Sequence, residues 1–152
     1  MREILFRAKR IDNGEWAEGF YVRQEETSYC FKEDYERHPE NTKHYIAFDM
    51  MTDWGLPNKH LIAEIDPETL CQYTGLTDKN GKRIWENDIV KHERSDTIGT
   101  VKWYQEDYVG WCVDDVCIDE QQFTDEMWNE CEVVGDIFDT PELLKGGMIC
   151  RN

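Results

Sequence analysis

The sequence predicts a mainly β protein, a β-rich α+β fold. An N-terminal lobe of hairpin and strands precedes a small SH3-like β-barrel. Three observations predict it. Asn13-Gly14 and Asn80-Gly81 each stand between runs that read as strands, and Asn-Gly supplies the positive φ angles a tight hairpin turn demands. From residue 82 onward, short apolar runs recur at roughly ten-residue spacing with turns between them, the rhythm of a small sandwich or barrel. Aromatic residues make up 12% of the chain, with six Trp, seven Tyr and six Phe, so a core weighted toward rings can fold this length.

In order along the chain, residues 2–10 alternate, with Ile4, Phe6 and Ala8 on one side, and read as a strand. Asp12-Asn13-Gly14 turns the chain into a partner strand over 16–22, where Gly19 marks a bulge or a close backbone approach. Tyr29-Cys30-Phe31 reads as a short strand, and 32–43, polar and carrying Pro39, as a loop. Strands follow at 45–50 and 60–65. Asp66 is placed to cap a helical turn that begins at Pro67. Residues 70–73 lead into the hairpin turned by Asp78-Lys79-Asn80-Gly81, whose return strand holds Ile84. Further strands read at 88–92, 98–104, 110–113, 116–118 and 132–138. Phe123, Met127 and Trp128 allow a turn or two of helix, and Thr140-Pro141 reads as the cap of a last helical turn. The predicted division is 1–75 for the N-terminal lobe, 76–146 for the barrel with its short helix, and 147–152 for a tail.

The chain has 152 residues and a formal net charge of −16. So acidic a chain repels nucleic acid and anionic membranes and suits a basic partner. The N-terminus has no basic region followed by a long apolar one, and no apolar run approaches the ~18 residues of a membrane span. The expectation is a cytoplasmic chain with six reduced cysteines.

Four segments together carry a resemblance: Met-Arg-Glu-Ile-Leu-Phe-Arg-Ala at the start, Ile65 to Leu76, Asp78-Lys79-Asn80-Gly81-Lys82 with Ile84, Glu86 and Asp88-Ile89-Val90, and Val133 to Phe138 with Pro141-Glu142-Leu143-Leu144. In this order the chain resembles the YopX family, small proteins of bacteriophages and prophages, with residues 24–60 the least similar. The resemblance implies a predominantly β fold with a barrel-like C-terminal half and a bacterial cytoplasm. It implies no activity, substrate or catalytic residue.

Between Lys102 and Lys145 there is no Lys or Arg, while Glu106, Asp107, Asp114, Asp115, Asp119, Glu120, Asp125, Glu126, Glu130, Glu132, Asp136, Asp139 and Glu142 fall in that interval. Such a field either steers a basic partner or keeps a surface solvated. Trp103, Tyr104, Tyr108 and Trp111, with Asp114, Asp115, Asp119 and Glu120, form the candidate protein-binding surface; the commoner meaning of such rings is hairpin and core packing. The acidic setting argues against base stacking, which normally accompanies a basic groove. Cys112 and Cys117 have zinc-like spacing but no second pair or nearby His to complete four ligands. Asp114, Asp115, Asp119 and Glu120 lack the pattern of a calcium loop. His38, His44, His60 and His92 stand in no nucleophile motif. The expectation is therefore no cofactor, no metal and no catalytic residue. The leading function is a non-enzymatic accessory protein that binds a host or phage protein, possibly as a homo-oligomer through exposed strand edges such as residues 2–9. The alternative is a hydrolytic enzyme with its site between the lobes.

Overall fold

The computed structural model describes residues 3–51, 55, 57–94, 97–106, 109–115, 118–122 and 129–145. The chain is mainly β, with antiparallel sheets and, among the described residues, one short α-helix. It divides into two compact units, one of residues 4–71 and one of residues 1–3 with 72–152.

In the unit of residues 4–71, β1 (Phe6–Lys9), β2 (Trp16–Glu25), β3 (Thr42–Met51) and β4 (Pro57–Glu64) lie in the order β4-β3-β2-β1. The first hairpin forms as expected. Gly14 takes φ 73°, its N–H donates to the Arg10 carbonyl at 2.9 Å, and Phe6 pairs with Gly19. Gly19 is a close approach: a Cβ there would run into the carbonyl oxygen of Ala47 on β3. Strand alternation buries Ala8, Ala17 and Ile46, which join Ile65 in a core flanked by Phe6, Tyr21, Phe48 and Leu70.

Asp66 caps a 3-10 turn at Pro67–Thr69, its carboxylate accepting from the Glu68 N–H at 3.0 Å. That segment closes the outer side of β1: the Lys9 N–H donates to the Thr69 hydroxyl at 2.8 Å and the Asp66 N–H to the Lys9 carbonyl at 2.8 Å. The strand end expected to be a free edge is therefore covered there.

Two expectations for this unit are corrected. Tyr29-Cys30-Phe31 is not a strand. The polar stretch after it is not all loop but carries α1 (Lys32–Arg37) and a 3-10 turn at Pro39–Asn41. The helix buries nothing. Its support is electrostatic, with Glu33 and Asp34 in the first turn, Arg37 in the last, and ion pairs Lys32–Glu36 at 3.2 Å and Asp34–Arg37 at 3.6 Å.

In the other unit, β5 (Cys71–Thr77) and β6 (Arg83–Trp85) form the central hairpin. Its turn works differently from the expectation. Gly81 takes φ 79° while Asn80 stays at negative φ, so the turn is held by Asp78. One Asp78 oxygen accepts from the N–H groups of Asn80 (2.8 Å) and Lys82 (2.9 Å), and the other from Val133 (3.0 Å) on β11 (Cys131–Asp136).

Strands β7 (Asp88–His92), β8 (Ile98–Tyr104), β9 (Gly110–Asp115) and β10 (Ile118–Gln122) complete a sheet of order β10-β9-β8-β7-β11. Its core is Ile84, Val90, Val101, Trp111, Val113, Cys131 and Val133, with Leu76 packed against it. The SH3-like barrel is not confirmed here. β10 and β11 are the two ends of the strand order, so among the described residues the sheet is open; a barrel requires the end strands to pair with each other. The proposed helix around Phe123, Met127 and Trp128 lies outside the described residues.

Pro141–Leu144 is a 3-10 helix, but Thr140 does not cap it. Its hydroxyl turns back instead, accepting from the Asp136 N–H and donating to the Asp136 carbonyl, both at 3.1 Å.

Candidate functional site

Pairing of β8 with β9 sets Trp103 opposite Trp111 and Tyr104 opposite Gly110. Side chains alternate along a strand, so Trp103 and Trp111 share the face of Val101 and Val113, while Tyr104 and Asp114 belong to the other. The predicted surface is thereby split. Trp103 is 42% exposed and packs edge-on against Trp111, ring centroids 5.0 Å apart at 74°. Trp111 is buried, and its Nε1 has no hydrogen-bond partner, an unmet donor that costs about 1–3 kcal/mol. Asp114 pairs with Lys102. Tyr108 lies outside the described residues, as do the side chains of Asp115, Asp119 and Glu120.

The acidic stretch is partly neutralised by residues from earlier strands and loops. Glu132 meets Lys79 at 3.0 Å, and Glu130 lies against Arg94 and 3.4 Å from His92. Asp136 is buried and accepts from the N–H groups of Phe138 (2.9 Å) and Asp139 (2.8 Å). Asp88, 1% exposed, accepts from the Trp85 N–H at 2.8 Å. These carboxylates organise turns. Among the described residues no three His, Cys, Asp or Glu side chains converge as a metal site.

A second cluster, in the unit of residues 4–71, was not predicted. A cavity of about 310 Å³ is lined by Arg23, Tyr35, Glu36, Pro39, Thr42 and His44. The Tyr21 hydroxyl and His44 Nδ1 are 2.6 Å apart, with their rings stacked at 5.9 Å. Arg23 reaches Glu25 at 3.1 Å and also the Tyr35 hydroxyl. Glu25, and then Tyr35, hold the proton on Arg23 more firmly than in a free side chain. The Thr42 hydroxyl donates to Glu25 at 2.9 Å. His44 thus faces a phenol, and the Thr42 hydroxyl donates to the Glu25 carboxylate, so the cavity is lined by a hydrogen-bonded polar network. Sequence reasoning noticed His44 alone; reading 32–43 as a loop hid the helix that carries Tyr35 to Arg23.

No curated protein matches the chain. Among solved structures, the crystal structure of protein EF1440 from Enterococcus faecalis is similar, with a TM-score of 0.46 and 19% identity over 95% of this chain and 99% of that one. A family profile described as YopX protein matches residues 5–145. Since that match takes in nearly all of both units, the chain belongs to the YopX protein family.

Proposed function

We propose that the protein is a phage or prophage accessory protein of the bacterial cytoplasm, non-enzymatic, acting by binding a basic host or phage protein through its C-terminal unit. The observation that carries this reading is Trp103: a ring 42% exposed, steadied by Trp111, in a stretch from 103 to 144 without a Lys or Arg. A rigid aromatic ring is a favoured anchor at protein interfaces, and a like-signed field draws a basic partner toward it. Among the described residues no helix is long and apolar enough to cross a membrane.

The test is affinity purification from a lysogenic host with the wild-type chain and Trp103→Ala in parallel. A basic protein that co-purifies with wild type, is lost at high salt and is lost with Trp103→Ala supports the reading. A partner retained equally by Trp103→Ala, or turnover of a substrate abolished by His44→Ala, overturns it.

A further inference from the structure

The cavity in the unit of residues 4–71 is lined by hydrogen-bond donors left over from the network that builds it. Tyr21, Arg23 and Glu25 alternate onto one face of β2, and Arg23 pairs across the ladder with His44 of β3. Arg23 and His44 line the cavity together with Tyr35 of α1 and Pro39. Arg23 gives its Nη2 hydrogens to Glu25 and to the Tyr35 hydroxyl. Its Nε–H and Nη1 hydrogens have no partner among the described residues. The Tyr35 hydroxyl accepts from Arg23 and so keeps its own proton to donate. Between Tyr21 and His44 the phenol is the better donor; it gives its proton to Nδ1, and neutral His44 then carries its own on Nε2. The carboxylates beside these donors are already engaged. Glu25 takes Arg23 and the Thr42 hydroxyl, and Glu36 pairs with Lys32 at 3.2 Å.

We infer that this cavity is a carboxylate-binding site, taking a single carboxylate, free or at the end of a peptide, on a flat apolar body. A guanidinium fork matches the plane and spacing of a carboxylate, and the His44 and Tyr35 donors add bonds to the same oxygens. One negative charge suits the site better than two. A phosphate dianion would meet Glu25 and Glu36 and the field of a chain with net charge −16. The volume, about 310 Å³, exceeds what a bare carboxylate fills and lies in the range of small-ligand pockets. The ring of Pro39 and the ring of Tyr35 offer the apolar body its walls. Tyr35 is set before any ligand arrives: it packs edge-on against Tyr29, centroids 5.7 Å apart at 73°, and the Tyr29 hydroxyl accepts from Asn41 at 2.5 Å. Such preorganisation lowers the entropy cost of binding.

The experiment is a titration of the ¹⁵N-labelled chain followed by its amide spectrum, with benzoate, benzamide, phenyl phosphate, and the dipeptide N-acetyl-Gly-Phe as free acid and as amide. The inference expects saturable shifts at and around Arg23, Tyr35 and His44 with benzoate and with the free-acid dipeptide. Benzamide and the amidated dipeptide, the same bodies without the charge, should bind at least about tenfold more weakly, as should phenyl phosphate. A dipeptide acid tighter than benzoate assigns the site to a peptide end; benzoate the tighter of the two assigns it to a small-molecule acid. Arg23→Gln should weaken benzoate about tenfold or more while the amide spectrum stays dispersed. Failure of both carboxylates to shift these residues overturns the inference, and this arm needs no variant. Equal binding of benzamide or phenyl phosphate, or a folded Arg23→Gln chain that binds benzoate like wild type, overturns it as well. Trp103→Ala should leave benzoate binding unchanged, so the outcome is independent of the partner reading.

Discussion

Removing the Asp78 carboxylate should destabilise the C-terminal unit by several kcal/mol. Asp78 is 5% exposed and accepts from three backbone N–H groups, those of Asn80, Lys82 and Val133. Asn80 and Lys82 lie on an exposed turn, so in Asp78→Ala water can replace the carboxylate for them. Val133 is buried; its N–H would be left unmet, costing about 1–3 kcal/mol, and a charge-assisted bond at the turn contributes about 1.5 kcal/mol more. The sum, ~2.5–4.5 kcal/mol, is a large part of the ~5–15 kcal/mol of a typical domain. Asp78→Asn keeps an acceptor for the turn but sets an amide donor against the Val133 N–H, for a loss of about 1–3 kcal/mol.

The assay is urea unfolding followed by tryptophan fluorescence, reading a lower midpoint at unchanged slope. The same carboxylate sets an acid limb. Burial pushes its pKa up, but the N–H groups of Val133, Lys82 and Asn80, with the Lys82 charge, prevail and hold it below the ordinary 3.8. A folded pKa below the unfolded one gives stability that is present above the unfolded value and is lost as pH falls through the folded one. The wild type should therefore lose stability below about pH 4, and Asp78→Asn should flatten that loss. A shift within ~0.5 kcal/mol for Asp78→Ala, the size of an ordinary surface change, would refute the reasoning.

Gly19→Ala drives a methyl into the Ala47 carbonyl and should cost about 1–3 kcal/mol, seen as a lower melting temperature; an unchanged melt would show that β2 and β3 can part there freely. Among the described cysteines, Cys30 is exposed while Cys71, Cys112 and Cys131 are buried, and burial first, then Glu130 and Asp78, push the Cys131 thiol up to about 11. Brief iodoacetamide treatment at pH 8 followed by peptide mass spectrometry should label Cys30 ahead of those three; labelling of Cys131 at a comparable rate would contradict its burial.

Much of the fold was legible because hairpins are local. Turn residues at 12–14 and 78–81, the alternation of 16–22, and the Asp66-Pro67 cap depend on neighbours a few residues away. The error at 32–37 has a local cause as well: a six-residue helix that buries nothing leaves no apolar period to read. Thr140 looked like a cap because it precedes Pro141, but a bond to Asp136 won its hydroxyl. The candidate surface was only half legible. A cluster of rings in sequence does not say which face each ring takes, and the pairing of β8 with β9 separates Tyr104 and Asp114 from the two tryptophans.

From sequence alone came a mainly β chain of this family, strongly acidic, with hairpins at its Asn-Gly corners. Only the tertiary structure decided what the acidic residues are for. Asp78 and Val133 are 55 residues apart, and a carboxylate's role depends on which distant N–H groups or cations arrive beside it once strands have paired. Packing also buried Asp88 and Asp136, whose carboxylates accept from N–H groups two or three residues away, brought Arg23 to Tyr35, and left Ile62 exposed.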